Sequence, residues 1–149
     1  FGDTHLFSKL GISDYSWSQD AYGISNGGFG LDLKLRDMAK FGQLFLQNGQ
    51  SDGNEIISSS WVNKSTEMIV PFDASQSWGY GYLWWTAKVN GVNIYNALGY
   101  AGQFIFVVPS KALVIAATSN SLPVDGYVDD LYDIIMDKIV SSFSALNDQ

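Results

Sequence analysis

The chain has 149 residues, 46% hydrophobic and 15% charged, with a net charge of −7 and no cysteine; one domain fits that length. Its eight basic residues are scattered, which argues against nucleic acid and anionic membrane as partners, since phosphate binding needs clustered Lys and Arg. The missing cysteines exclude disulfides, thiolate metal sites and cysteine nucleophiles, and no run approaches the ~20 apolar residues of a membrane-spanning helix.

The start, Phe1-Gly2-Asp3-Thr4-His5-Leu6-Phe7, has neither an initiator Met nor a basic-then-apolar signal pattern, and reads as a piece of a longer or processed protein. Residues Leu6 to Asp14 end in Leu10-Gly11-Ile12, a helix end with a glycine stop. The chain to Gly30 reads as irregular. Asn26-Gly27-Gly28-Phe29-Gly30 fits neither G-x-G-x-x-G nor the P-loop, so the expectation is a loop whose glycines need positive φ, leading into a helix. That helix is expected over Asp37 to Asn48, with Met38, Phe41 and Phe45 at helical spacing and Asn48-Gly49 as the stop. The run from Asn48 to Asn54 reads as a turn between short extended pieces. Ser58-Ser59-Ser60-Trp61 reads as an N-cap and a short helix to about Glu67, a better reading of the serine run than a nucleophile.

From Ser77 to Ala87, glycines and aromatic residues alternate as in one strand, and Asn90-Gly91 marks a hairpin turn into a return strand, Val92 to Leu98. Strands Phe104–Val108 and Leu113–Thr118 follow, joined by Pro109-Ser110-Lys111. Four strands with short links imply an antiparallel sheet. The last element is a helix from about Gly126 to Phe143, capped by Asp125, with Asp129 and Asp130 near its positive end and a buried stripe of Val128, Leu131, Ile135 and Ile139. Asp129, Asp133 and Asp137 share one face, but no oxygen-rich loop accompanies them, so a solvated face is the reading and no metal or other cofactor is expected. Trp84 and Trp85 are read as core, with cleft wall as the alternative.

The stretch from Asn96 to Pro109 places a polar, glycine-flanked cluster, Gly99-Tyr100-Ala101-Gly102-Gln103, against two apolar strands. Glycines at a strand edge let a backbone meet a ligand closely, and the same residues also make a plain turn. No complete catalytic set surrounds it. His5 is the single histidine, and G-x-S-x-G and S-x-x-K are absent.

The series of words nonetheless resembles the serine β-lactamase-related family, which groups class C β-lactamases, DD-peptidases, esterases and amide hydrolases. It runs through Leu10-Gly11-Ile12, Trp17, Gly27-Gly28-Phe29-Gly30-Leu31 and the stretch from Arg36 to Leu44. It continues through Gly49, Gly53, Trp61-Val62, the stretch from Tyr80 to Trp85, the cluster from Gly99 to Gln103, and Val107-Val108-Pro109. The resemblance implies an α+β fold, an antiparallel sheet flanked by helices, with residues 1–149 as the C-terminal portion of one β-lactamase/transpeptidase-like domain. It also implies acyl transfer on a small-molecule ester, amide or β-lactam. The family's S-x-x-K and Y-x-N motifs lie upstream of the matched region and do not occur here, nor does S-x-N.

By that resemblance the Gln103 backbone amide is the second oxyanion donor, and Tyr100 stands where relatives place the cation of a Lys-Thr-Gly or His-Thr-Gly motif on the strand bordering the site. Gly99, Ala101 and Gly102 line the substrate. Losing the cation favours ester or amide substrates over those recognised by a carboxylate. The N-terminal half of the fold, or self-association, is the expected partner, and an exported parent the expected location. The alternative is a non-catalytic binding domain that kept the sheet and lost the chemistry.

Overall fold

In the computed structural model, which describes residues 1–72, 74–75, 77–119 and 131–140, the chain opens with helical segments over Asp3–Phe7 and Ser8–Leu10. Gly11 ends them at φ +61°, the left-handed conformation expected of the glycine stop. The stretch read as irregular is partly ordered. Strand β1 (Tyr15–Trp17) pairs antiparallel with β2 (Leu31–Leu33), with Tyr15 opposite Leu33 and Trp17 opposite Leu31. Three-residue strands separated by a long loop are too short for a period-two signal to stand out. The loop folds back through Trp17 Nε1, which donates to the Asn26 carbonyl at 2.7 Å. The Asp20 carboxylate accepts from the N–H groups of Tyr22 (2.8 Å) and Ile24 (3.0 Å). Of Gly27, Gly28 and Gly30 only Gly30 has positive φ (+77°), and the loop delivers the chain into β2 before any helix.

Helix α1 (Leu35–Leu46) begins two residues before the expected Asp37 and ends two before the expected Asn48, and the Gly49 N–H closes its end by donating to the Leu44 carbonyl at 2.8 Å. A small hairpin, β3 (Gln50–Ser51) and β4 (Asn54–Glu55), turns through Asp52-Gly53, both at positive φ as a two-residue turn demands. Helix α2 (Ser59–Thr66) is capped by Ser58 Oγ, which accepts the Trp61 N–H at 3.3 Å, as the capping reading requires.

The central sheet holds β5 (Val70–Pro71), β6 (Trp78–Tyr80), β7 (Trp85–Val89), β8 (Val92–Gly99), β9 (Gln103–Val108) and β10 (Leu113–Ala117). Each strand pairs antiparallel with its chain neighbour in the order β10-β9-β8-β7-β6-β5. The single strand expected from Ser77 to Ala87 is broken. Gly81 to Trp84 form a turn in which the Gly81 N–H donates to the Trp84 carbonyl (2.8 Å) and Leu83 takes φ +65°. The Tyr82 N–H donates to the Ser65 carbonyl (2.9 Å), so α2 pins this turn. Alternation of glycine and aromatic residues continues across the turn, which is why periodicity alone does not show the break. The glycines do allow the expected close packing. A Cβ on Gly79 would stand 2.6 Å from the Val70 carbonyl oxygen, and one on Gly81 2.6 Å from that of Glu67.

Alternation sorts the sheet into two apolar faces. Ala87, Ile94, Phe104, Phe106 and Val108 face the closing helix (residues 131–140) with its Ile135 and Met136. Tyr95, Ile105 and Val107 face α1 and α2. A third cluster, around Phe7, Leu10, Ile12 and Leu44, sets the N-terminal segment and β1–β2 beyond α1. The result is an antiparallel sheet with helices on both faces. Within the closing helix Leu131 is half-buried and Ile135 buried, whereas Asp133 and Asp137 are exposed. Asp125, Val128, Asp129, Asp130 and the side chain of Ile139 lie outside the described residues.

Helix α1 lies close to the sheet because Gly42 carries no side chain. A Cβ there would stand 2.6 Å from Val114 Cγ1 and 2.8 Å from Ile105 Cγ2. Gly42→Val is therefore expected to cost about 1–3 kcal/mol by overpacking, read as a lower urea midpoint.

Burial also fixes an alkaline limit. It raises the Tyr95 hydroxyl to about 12. Burial, followed by the Asp133 charge, pushes Tyr132 higher still. A tyrosine raised in the folded state supports folding fully below its unfolded value of ~10 and loses that support as pH climbs through the folded value. Stability is expected to hold to about pH 10 and fall towards pH 12, which chemical denaturation at the two ends of that window checks.

Candidate functional site

The site arises from a mismatch in strand length. Strand β7 begins at Trp85, opposite Asn96, because the Gly81–Trp84 turn precedes it. Strand β8 runs three residues further, with Ala97, Leu98 and Gly99 paired only to Ile105, Phe104 and Gln103 of β9. No described backbone group outside the sheet bonds to these three residues. Because successive residues of a strand direct their N–H and C=O groups to opposite sides, this end of β8 presents unpaired backbone groups towards the space where β7 would continue.

The chain then turns. The resemblance puts Tyr100, Ala101 and Gly102 on the strand bordering the site; they form instead the turn that the residues also allowed, a three-residue connection from β8 to β9 with φ +60° at Ala101 and +85° at Gly102. The turn rests on the chain leaving β10. A Cβ on Gly102 would lie 2.8 Å from Ser119 Cβ. Gln103 Nε2 donates to the Ser119 carbonyl at 2.9 Å and, at a longer 3.4 Å, to that of Ala101. The Gln103 carboxamide thus ties the turn to β10 while its backbone opens the β8–β9 ladder. Tyr100 stands at the tip, 81% exposed.

On the α1 face, a cavity of about 320 Å³ adjoins this open edge, walled by Leu31, Leu33, Met38 and Ile105 and reaching Ala97, Leu98, Gly99 and Gln103. A second, of about 610 Å³, continues under the loop from Asn26 to Gly30 and takes in Trp17 and Tyr100. Gly99 and Gln103 line both, Tyr100 the second, and Ala101 and Gly102 neither. A larger hollow of about 1260 Å³ lies elsewhere, between α1, the β3–β4 hairpin and the start of β10, and holds none of these residues. Size alone does not choose the site.

Sequence reading missed Leu31, Asp32 and Leu33 as cleft residues and took Met38 for a helix face. They sit 61 to 68 positions from Gly99, and no motif or period links segments that only the fold brings together. Trp84 is core, stacked near Phe41 and tilted against Phe45; Trp85 is half-buried between Tyr80 and Phe72. His5 lies tilted against Phe1 and does not line the cleft. Among the described residues the cleft has no serine, lysine or histidine in its lining.

With this geometry, a chain-wide match to known proteins is informative. The family model described as Beta-lactamase matches residues 6–137. The chain belongs to the beta-lactamase family. Among curated proteins it is 25% identical over 128 residues to the 6-aminohexanoate-dimer hydrolase of Paenarthrobacter ureafaciens, an alignment covering 78% of this chain and 32% of that protein. Among solved structures it is similar to a candidate 6-aminohexanoate-dimer hydrolase from Bacillus anthracis, with a TM-score of 0.77 and 23% identity over 97% of this chain and 38% of that one. It is also similar to a candidate beta-lactamase from Bacteroides dorei, with a TM-score of 0.63 and 18% identity over 93% of this chain and 50% of that one. The chain spans about a third of the length of the curated relative. The resemblance read from the sequence is borne out, as is the β-lactamase/transpeptidase-like fold. No helix among the described residues is long and apolar enough to cross a membrane.

Proposed function

We propose that residues 1–149 are the C-terminal portion of a β-lactamase-like serine hydrolase and supply one wall of its acyl-transfer site. The open end of β8 beside an apolar cavity, in a chain of the beta-lactamase family, carries this reading. A strand edge is a set of fixed backbone dipoles, and such donors stabilise the oxyanion of a tetrahedral intermediate without reorganising during the reaction. By the family resemblance the Gln103 amide, at the start of β9 opposite Gly99 and beside that open edge, is one donor, and the other belongs to a nucleophilic serine carried by polypeptide outside these residues. Gly99 lets the substrate lie against the strand, Ala101 and Gly102 shape the turn, and the exposed Tyr100 meets the leaving group or a polar end of the acyl chain. The substrate is a small ester or amide, and the relative's name, with a 6-aminohexanoate dimer as its object, supports the amide.

The absence of a serine, lysine or histidine from the described lining sets the test. The purified 149-residue chain, alone, is expected to leave a chromogenic ester or amide unhydrolysed. Turnover by that chain would overturn the proposal. If the longer protein also lacked turnover, the reading of a binding domain that kept the sheet and lost the chemistry would take its place.

A further inference from the structure

At the other end of β8 from Gly99, the β7–β8 hairpin and the β9–β10 connection meet α1 and α2 around a hollow of about 500 Å³. It shares no lining residue with the cleft at Gly99, and no Asp, Glu, Lys, Arg or His lines it. Strand β8 contributes Asn93 and Tyr95, which alternation places on one face. Helix α2 contributes Asn63 and Thr66, neighbours at three-residue spacing. Asn48, just past the end of α1, and Ser110 complete the polar lining.

Tyr95 is the decisive residue. It is 7% exposed, with its ring held edge-on by Trp84 at 5.2 Å and by Phe45 at 6.5 Å. Its hydroxyl makes no hydrogen bond to any described residue, whereas a buried tyrosine ordinarily finds a partner. The hydroxyls of Thr86 and Tyr132 also lack one, but those two are wholly enclosed; that of Tyr95 keeps an accessible surface, and it is this hollow that Tyr95 lines. Burial raises its pKa, so at neutral pH it is an O–H that both donates and accepts. The carboxamides of Asn48, Asn63 and Asn93 likewise make no hydrogen bond to a described residue, and each offers a donor and an acceptor side by side.

We propose that this hollow binds a neutral, hydroxyl-rich ring of monosaccharide size, with one ring hydroxyl bonded to Tyr95. Without a cation the hollow offers no partner to a carboxylate or phosphate, and without an anion none to an ammonium group. A hydrocarbon would leave the Tyr95 hydroxyl unpaired. A sugar hydroxyl donates and accepts at once, as the phenol does, and adjacent hydroxyls on a ring match the oxygen and the NH₂ of one carboxamide. Leu46 and Pro109 supply apolar lining for the C–H surface of the ring. The volume falls within the roughly 300–1,000 Å³ of small-molecule sites. Such binding does not depend on acyl transfer at the other end of β8.

The methyl β-glycosides of glucose, galactose and mannose are neutral rings that differ in hydroxyl stereochemistry. Titrated into the ¹⁵N-labelled chain, at least one is expected to bind saturably and to shift the side-chain amides of Asn48, Asn63 and Asn93 and the backbone amide of Tyr95. The corresponding methyl uronide, a carboxylate on the same ring, and cyclohexanol, with a single hydroxyl, are expected to bind at least about threefold more weakly, the scale of one lost hydrogen bond. Tyr95→Phe removes only the hydroxyl. It is expected to lower the affinity for the bound glycoside about three- to tenfold and to leave the urea midpoint no lower than that of the parent, because the free protein has no bond there to lose. Asn63→Ala, at an exposed position of α2, is expected to weaken binding by a similar factor with the fold intact. Binding of none of the glycosides, equal binding of the uronide or of cyclohexanol, shifts centred elsewhere, or an affinity unchanged in either variant would each overturn the proposal. A Tyr95→Phe midpoint well below that of the parent would mean that the hydroxyl already has a partner, and would overturn it as well.

Discussion

Phe106→Ala is expected to lower the stability of the fold by about 3–5 kcal/mol, the range for deleting a fully buried aromatic ring. Phe106 is fully buried in β9, between Asn96 of β8 and Ile115 of β10. Its ring lies 5.5 Å from that of Tyr132 in the closing helix and 5.9 Å from that of Phe104. Removing it takes away the transfer term of a whole ring and leaves a cavity under three elements that a sheet cannot close by sliding. Asn96 adds to the effect. Its side chain is fully buried and neither amide atom has a hydrogen-bond partner among the described residues. A polar group in that state depends on tight packing to stay in place, and water admitted to a cavity beside it would favour loosened states. Urea unfolding of the variant should show a midpoint well below that of the parent, with Phe106→Leu between the two.

Gly102→Ala is expected to have the second large effect, on rate more than on stability. At φ +85° the residue occupies a conformation that an L side chain rarely adopts, and its new Cβ would lie 2.8 Å from Ser119 Cβ. The turn must move away from the β10 exit, which also disturbs the hydrogen bond from the Gln103 carboxamide to the Ser119 carbonyl. Strain of this kind costs about 1–3 kcal/mol of stability. A displacement of about 1 Å at the neighbouring Gln103 amide would cost on the order of 10²-fold in kcat. In the catalytically complete protein, steady-state kinetics should show kcat falling far more than KM rises. An unchanged kcat would remove the turn from the catalytic geometry.

Much of the sheet was legible in the sequence because its signals are local. Asn90-Gly91 fixes a hairpin by its two positive φ values, Ser58 caps α2, and the apolar runs of β9 and β10 are bounded by the turn from Tyr100 to Gly102 and the break at Pro109. Where a tight turn preserved the alternation of the strands around it, at Gly81 to Trp84, the same local signal misled. The β1–β2 pair was lost because each strand is three residues long and the loop between them exceeds either. The site divides in the same way. Gly99 and Gln103 carry glycine and strand-edge signals and could be named beforehand. The open edge beside them depends on where β7 begins, and Leu31 and Met38 reach it only through tertiary folding.

The most direct test of the central claim is covalent labelling of the longer protein that contains this chain with a fluorophosphonate probe, followed by mapping of the modified peptide. One serine, within an S-x-x-K sequence outside residues 1–149, is expected to be modified, and labelling is expected to be lost when the Gly99–Gln103 turn is disrupted by Gly102→Ala. Labelling of a serine within residues 1–149, or none anywhere in a folded protein, would contradict that claim.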